Sequence, residues 1–320
     1  MLFVEADGVV VWDRASGIDR IDSLVAGRAH DPRLLRAPFF SVRTPHAWDP
    51  VDGWKPAGAV QRDGRASARR LRVLTWNTLW DRYNSDRIQT ARRRPLLLAA
   101  LAEADADVIA LQEVEAGLLD LVLRARWVRD VYVLGTDPGG RDVRDSSLLL
   151  LSRLPVREAA VHALGPHKAV AAITVETAAG PLVVANTHLT SDHSVNGAAK
   201  RQIELARLAE VLAAVDGDVV LVGDFNDGDS GPDGPAGVLG LRDAWTEARG
   251  AGDGTPTFDP TANPLAAISS LSGRPARLDR ILLRTPQARV IKARLTGDAP
   301  GPQGLYASDH YGVLADLALD

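Results

Sequence analysis

The stretch VVLVGDFNDG, from Val219 to Gly228, sets four aliphatic residues in succession and follows them at once with Gly223, Asp224, Asn226 and Asp227. Four aliphatic residues without polar alternation read as a strand covered on both faces. The polar end has two readings. It is a solvated turn, since Asp, Asn and Gly are ordinary turn residues, or it is one side of a polar site. The rest of the chain decides between them.

From Leu71 onward the same pattern recurs. Short strands are expected at LRVLTWN, ADVIALQE, SSLLLLSR, KAVAAITVET, PLVVANTHL, DVVLVGDFN, RLDRILLR and YGVLADLAL. Helices are expected over Thr90 to Glu103 and from Asn196 onward, the latter on a stripe of Ile203, Leu205, Leu208, Val211 and Leu212. Strands with interspersed helices and hairpin-like connections predict an α+β fold with antiparallel or mixed sheets. The strand ends carry the functional signal: Asn77, then Gln112 and Glu113, then Asn186 and His188, then Asp224 and Asn226, with Ser308, Asp309 and His310 leading into the last strand. Independent solvated turns have no reason to favour carboxylate, amide and imidazole groups five times over. Brought side by side, these groups make a pocket of hard oxygen ligands with two histidines, suited to a magnesium-dependent phosphoester site.

Composition sets the outer bounds. The 320 residues, 46% hydrophobic and 24% charged, have the balance of a soluble globular protein. No apolar segment has the length of a membrane span, and the opening MLFVEADGVVVWDR carries acids where a signal peptide needs positive charge, so a cytoplasmic bacterial protein without membrane partners is expected. With no cysteine, disulfides, thiolate metal sites and a cysteine nucleophile are excluded, and a metal must be held by oxygen or imidazole, which points to Mg2+ with Mn2+ as substitute. A net charge of −4 gives no global attraction to polyanions, although local arginine clusters such as Arg92-Arg93-Arg94 could attract phosphate. Residues 1–70, with Trp12, Trp48 and Trp54 and little periodicity, read as an arm or appendage that ends in QRDGRASARR, and residues 71–320 as the catalytic domain.

The motifs WN at Trp76-Asn77, LQE at 111–113, NTHL at 186–189, GDFN at 223–226, LDRI at 278–281 and SDH at 308–310 resemble, in this order, those of the endonuclease/exonuclease/phosphatase superfamily, relatives of exonuclease III and DNase I. The resemblance implies a four-layer α/β/β/α sandwich with two mixed, mainly antiparallel sheets and a site at one rim. It implies Glu113 as the principal Mg2+ ligand with Asn77 beside it and Asp309 as a second ligand. His310 would contact the phosphate or the attacking water, Asp279 would hold that imidazole, Asp224 would position water, Asn226 would bond a phosphate oxygen, and His188 would stabilise phosphoryl charge. Tyr83, Lys168, His193 and Arg277 are candidate substrate contacts, with His193 and Asp192 also read as caps of the following helix.

The run WNTLWDRY, the arginines before the next helix, ADVIALQEV and NTHL are most similar to the deadenylases and the Angel-type RNA 2′,3′-cyclic phosphatases. DGVVVWDRASGIDRID is similar to the tail of a small domain proposed to recognise cyclic phosphate ends of RNA. Both imply RNA as the partner, through cyclic phosphate removal or 3′-to-5′ exonuclease action in RNA repair or processing. The alternatives are a DNA nuclease, a small-molecule or lipid phosphatase, and a non-catalytic RNA-binding module. The loop from Asp259 to Arg277 is the expected specificity element.

Overall fold

The computed structural model describes residues 33–59, 69–81 and 85–319, together with the backbone of three short strands before them. Those strands, Phe3–Ala6, Val9–Asp13 and Ile18–Asp19, form an antiparallel sheet of their own within the unit Met1–Arg33. Much of DGVVVWDRASGIDRID, all of QRDGRASAR but its last residue, and Tyr83 and Asn84 lie outside the described residues.

The second unit, Leu34–Asp320, contains two mixed sheets. One has eight strands in the order Ala288–Thr296, Gly312–Leu319, Arg70–Asn77, Val108–Gln112, Leu149–Ser152, Val133–Leu134, His46–Asp49, Gly53–Pro56. The other has seven, in the order Arg242–Asp243, Asp279–Arg284, Asp218–Asp224, Gly180–His188, Lys168–Thr177, Val156–Gly165, Ser41–Arg43. Among the described residues only Arg70–Asn77 with Val108–Gln112, and Gly180–His188 with Asp218–Asp224, pair in parallel. This is the α+β sandwich that the strand pattern predicts.

Layering explains why the central strands read as unbroken apolar runs. Val220 and Val222 pack between the sheets with Val73, Ala110, Ile173 and Ile281, while Val219 and Leu221 turn the other way onto Leu205, Leu208 and Leu212 of the helix Gly197–Ala213. All four are fully buried, so neither face tolerates a polar residue. The eight-stranded sheet is covered likewise by Leu97 and Leu101 of Thr90–Glu103 and by Leu118, Leu119 and Val122 of Ala116–Arg124. On Gly197–Ala213 the buried stripe differs by one position from expectation. Ile203 is 56% exposed whereas Arg201 and Glu204 are buried, because Glu204 accepts from Thr190 N and Oγ1 and Arg201 donates to Thr190 O and Asp192.

The compact unit begins at Leu34 and not near residue 71. Ser41–Arg43 forms one edge of the seven-stranded sheet, and the hairpin His46–Asp49/Gly53–Pro56 closes the eight-stranded one. These strands are three or four residues long, too short to show the alternation by which strands are recognised. Among the described residues no helix is long and apolar enough to cross a membrane.

Candidate active site

Strand register assembles the site. His188, Asp224 and Asp279 are direct partners across three adjacent strands of one sheet, and Asn77 lies opposite Gln112 in the other, with Glu113 next in the chain. Gly223 permits this crowding: at φ +143° its Cα lies so close to Thr187 that a Cβ would stand 2.0 Å from the Thr187 carbonyl oxygen. Just past their strands, Glu113 (φ +58°) and Asn226 (φ +50°) occupy the left-handed region that non-glycine residues rarely adopt. Such strain concentrates where side chains must be aimed.

Asn77 links the two sheets. Its Nδ2 donates to Glu113 Oε1 at 3.1 Å and to Asp224 Oδ2 at 2.9 Å, while its Oδ1 accepts from Leu79 N. The amide nitrogen, not the oxygen, therefore faces the carboxylates, and Asn77 is placed to hold Glu113 rather than to stand beside it as an oxygen donor. Glu113 Oε2 also accepts from Trp80 N at 2.6 Å. Asp224 Oδ1 accepts from Asn226 N at 2.8 Å, and the Asn226 side chain donates to Leu189 O at 2.9 Å. His310 Nδ1 bonds Asp279 Oδ2 at 2.8 Å, leaving Nε2 3.9 Å from Asp224 Oδ2. His188 Nε2 lies 3.6 Å from Asp224 Oδ2 and 3.8 Å from Glu113 Oε1.

The two imidazoles are driven apart in charge. Burial alone would lower the His310 pKa, but Asp279, Asp224 and Asp309 outweigh it and hold the ring well above its ordinary value, so it is charged. His188 is pushed well below by burial, with Lys168 and His310 adding to the effect, so it is neutral. Burial and the Asp309 charge raise Glu113 against the pull of Asn77 and Trp80. Asp224 is raised by burial and by Asp279 against the pull of His310.

Glu113 and Asp309 offer hard oxygen donors of the kind a divalent cation takes. Both line one cleft, and their repulsion is felt in the Glu113 carboxyl, a conflict that a cation with hard oxygen ligands relieves. Asp309 is fixed by Ser269 Oγ on Oδ2 at 2.8 Å and Ser308 Oγ on Oδ1 at 3.2 Å. Another cluster, Asp224, Asp279 and His310, has ligand atoms within 4.8 Å of one another, with His310 Nδ1 bonded to Asp279 Oδ2.

The cleft, about 930 Å³, also takes in Lys168 and His193. Lys168 Nζ donates to Leu189 O at 3.1 Å, and burial pushes its pKa down. His193 does not cap the following helix; its Nε2 bonds Ser269 O at 2.7 Å, and Asp192 pairs with Arg201. Arg277 is buried away from the cleft, donating to Asp243 Oδ2 at 2.8 Å and to Ser230 Oγ, so it makes no substrate contact in this arrangement.

Further groups support the site from behind. Gln112 and Asn186 point between the sheets and bond each other at 2.7 Å, a polar tie behind the site. Arg93, fully buried, donates to the carbonyls of Thr78, Leu79 and Ala307, fastening the segments that carry Trp80 and Asp309. Thr257 Oγ1 accepts from Asp279 N, and the Phe258 ring lies 5.0 Å from that of His310. Thr257 and Phe258 stand just before the expected specificity loop; within it Asn263 Nδ2 donates to Ser308 O at 2.9 Å, and residues between Ser269 and Ala276 face the cleft. Gln112 and Asn186 lie in the LQE and NTHL motifs; no motif or periodicity marks Thr257 or Phe258, and the arginine run is the one signal that could have singled out Arg93.

The class that this fold and site define is that of the metal-dependent phosphoesterases. Residues 74–310 match the model of the Endonuclease/Exonuclease/phosphatase family, and the chain belongs to that family. Among solved structures, TDP2 from D. rerio complexed with single strand DNA product superposes with a TM-score of 0.62 at 21% identity, covering 78% of this chain and 98% of that one. A truncated C. elegans TDP2 gives 0.60 at 20% over 78% and 98%. An endonuclease/exonuclease/phosphatase from Beutenbergia cavernae gives 0.55 at 21% over 79% and 72%. At these identities the likeness shows the fold. No curated protein matches the sequence.

Proposed function

We propose that the protein hydrolyses phosphate esters at RNA 3′ ends, either by removing a 2′,3′-cyclic or terminal phosphate or by shortening the strand from its free end. The observation that carries the chemistry is the convergence of a charged Asp279–His310 pair, a neutral His188 and the Asn77-held carboxylates Glu113 and Asp224 on one cleft. Glu113 and Asp309 would hold Mg2+ or Mn2+, which when bound polarises a phosphoryl oxygen.

In this reading His310 donates from Nε2 to the phosphoryl group, and Asp279 keeps the ring oriented and charged. Asp224, raised by burial, positions the attacking water and takes its proton. His188, being neutral, donates one N–H to developing oxyanion charge without repelling His310. Asn226 can spare its second amide hydrogen for a phosphate oxygen.

The RNA preference rests on the likeness of WNTLWDRY, ADVIALQEV and NTHL to the deadenylase and cyclic phosphatase motifs. A second reading, single-stranded DNA, is favoured by the likeness to the D. rerio TDP2 complex. A short end-labelled RNA with a 2′,3′-cyclic phosphate, the same RNA with a free 3′-hydroxyl, and its DNA counterpart separate them on a gel with magnesium. Loss of the cyclic end without shortening, or a ladder from the free RNA end, supports the proposal. Cleavage of DNA alone moves the assignment to the second reading.

A further inference from the structure

The cleft is larger than one phosphate ester needs, and its lining carries both signs of charge. Glu113, Asp224 and Asp309 line it. The helix Gly197–Ala213 presents Lys200, Ile203, Glu204 and Arg207 to the same cleft, the spacing of one helical face. The acids on this side are already satisfied: Glu204 is spent on Thr190 and Asp192 on Arg201. Lys200 and Arg207 are exposed, and the exposed His167 and Arg274 line the same cleft. Seven residues separate Lys200 from Arg207, about 10 Å along the helix axis, a span longer than any single phosphate group. Ile203 lies exposed between them and offers an apolar contact.

We infer that this basic arm is a subsite for the phosphates that flank the scissile one, so that the substrate is a phosphodiester chain laid along the helix and not an isolated ester. The inference rests on the nucleic-acid reading above and assigns Lys200 and Arg207 as specificity residues outside the reacting groups. Acidic groups that call for a cation and exposed basic groups on one helical face of the same cleft are the complement of a strand with one phosphate at the metal and its neighbours beyond it.

The test compares wild type with Lys200→Glu and with Lys200→Glu/Arg207→Glu, in magnesium, on a short single-stranded RNA, its DNA counterpart, and a dinucleotide with a free 3′-hydroxyl, replaced for cyclic-end removal by the nucleoside 2′,3′-cyclic phosphate, so that this control carries the scissile phosphate alone. Arg207 also donates to Leu164 O at 2.6 Å, so the single variant separates charge from any disturbance of that bond. On the strand that wild type cuts, KM should rise about tenfold in the double variant with kcat nearly unchanged, and the slope of log kcat/KM against log salt should fall by about 1 for Lys200→Glu and about 2 for the pair. Turnover of the control should stay the same. An unchanged KM and salt slope on the long strand, or an equal loss on the control, overturns the subsite while leaving the nucleic-acid reading intact. A wild type that hydrolyses a generic phosphodiester but neither strand overturns both.

Discussion

Asp279 Oδ2 stands 2.8 Å from His310 Nδ1, both groups buried and brought together from opposite sheets. Asp279 opens a strand of the seven-stranded sheet, and His310 enters the last strand of the other. The remaining ring nitrogen is thereby turned to the cleft, 3.9 Å from Asp224. A carboxylate that holds an imidazole in this way fixes both its tautomer and its charge.

Asp279→Asn keeps the volume and removes the charge. Turnover should fall by about a hundredfold or more, the scale of a lost acid or base function, while the melting temperature changes little. Steady-state kinetics beside a thermal melt check this, and near-normal rates would refute the assigned pairing.

Gly223→Ala should destabilise by about 2 kcal/mol or more, the range of backbone strain and overpacking. Its Cβ would meet the Thr187 carbonyl at 2.0 Å, and that carbonyl belongs to the neighbouring strand and cannot swing away. Denaturant titration measures the loss. Wild-type stability would contradict the close approach of the two strands.

Asp243 is the shared acceptor of two buried guanidinium groups, Arg277 at 2.8 Å and Arg280 at 2.9 Å, and it caps the helix Ala244–Arg249 through Trp245 N and Thr246 N. Asp243→Ala strands both cations and should cost about 3–5 kcal/mol, the scale of a broken buried ion pair. The Arg280 contacts with Asp227 O and Asp229 O predict that the loop beside the cleft loosens too. Hydrogen exchange at residues 227–231 reads this, and unchanged protection there would refute the coupling.

Tyr132 is buried, donates to Ala106 O at 2.6 Å, and is pushed up to about 12 by that burial. An unfolded tyrosine titrates near 10, so the fold favours the neutral phenol. The stability this contributes is complete below about pH 10 and is lost as the pH rises to about 12. Unfolding titrations over this window should be less steep with pH in Tyr132→Phe than in wild type, and identical slopes would contradict the burial of the phenol.

The sequence made the interior strands legible because burial on both faces leaves nothing but aliphatic residues. Lys168–Thr177 and Asp218–Asp224 begin where KAVAAITVET and DVVLVGDFN begin. Val156–Gly165 and Ala288–Thr296 were not expected as strands, since their half-exposed faces carry Arg, Glu, His and Lys and break the apolar runs. The groups gathered around the cleft were named from strand ends, but what holds them was not. Ser269 on Asp309, Trp80 N on Glu113 and Arg93 on three carbonyls depend on loop conformation, which no periodicity encodes. Arg277 misled for a related reason: an arginine beside a motif carries the same letter whether it meets substrate or, as here, a buried aspartate.

The most direct measurement follows hydrolysis of a generic phosphodiester by wild type and Glu113→Ala in magnesium, in excess EDTA, and after magnesium is restored, with metal binding titrated in parallel. Wild-type turnover should vanish with EDTA and return with magnesium, while Glu113→Ala should stay folded, bind the ion at least about tenfold more weakly, and remain inactive. Undiminished turnover in EDTA, or a Glu113→Ala protein that binds metal and turns over like wild type, would contradict a cation held by Glu113 at the centre of the site.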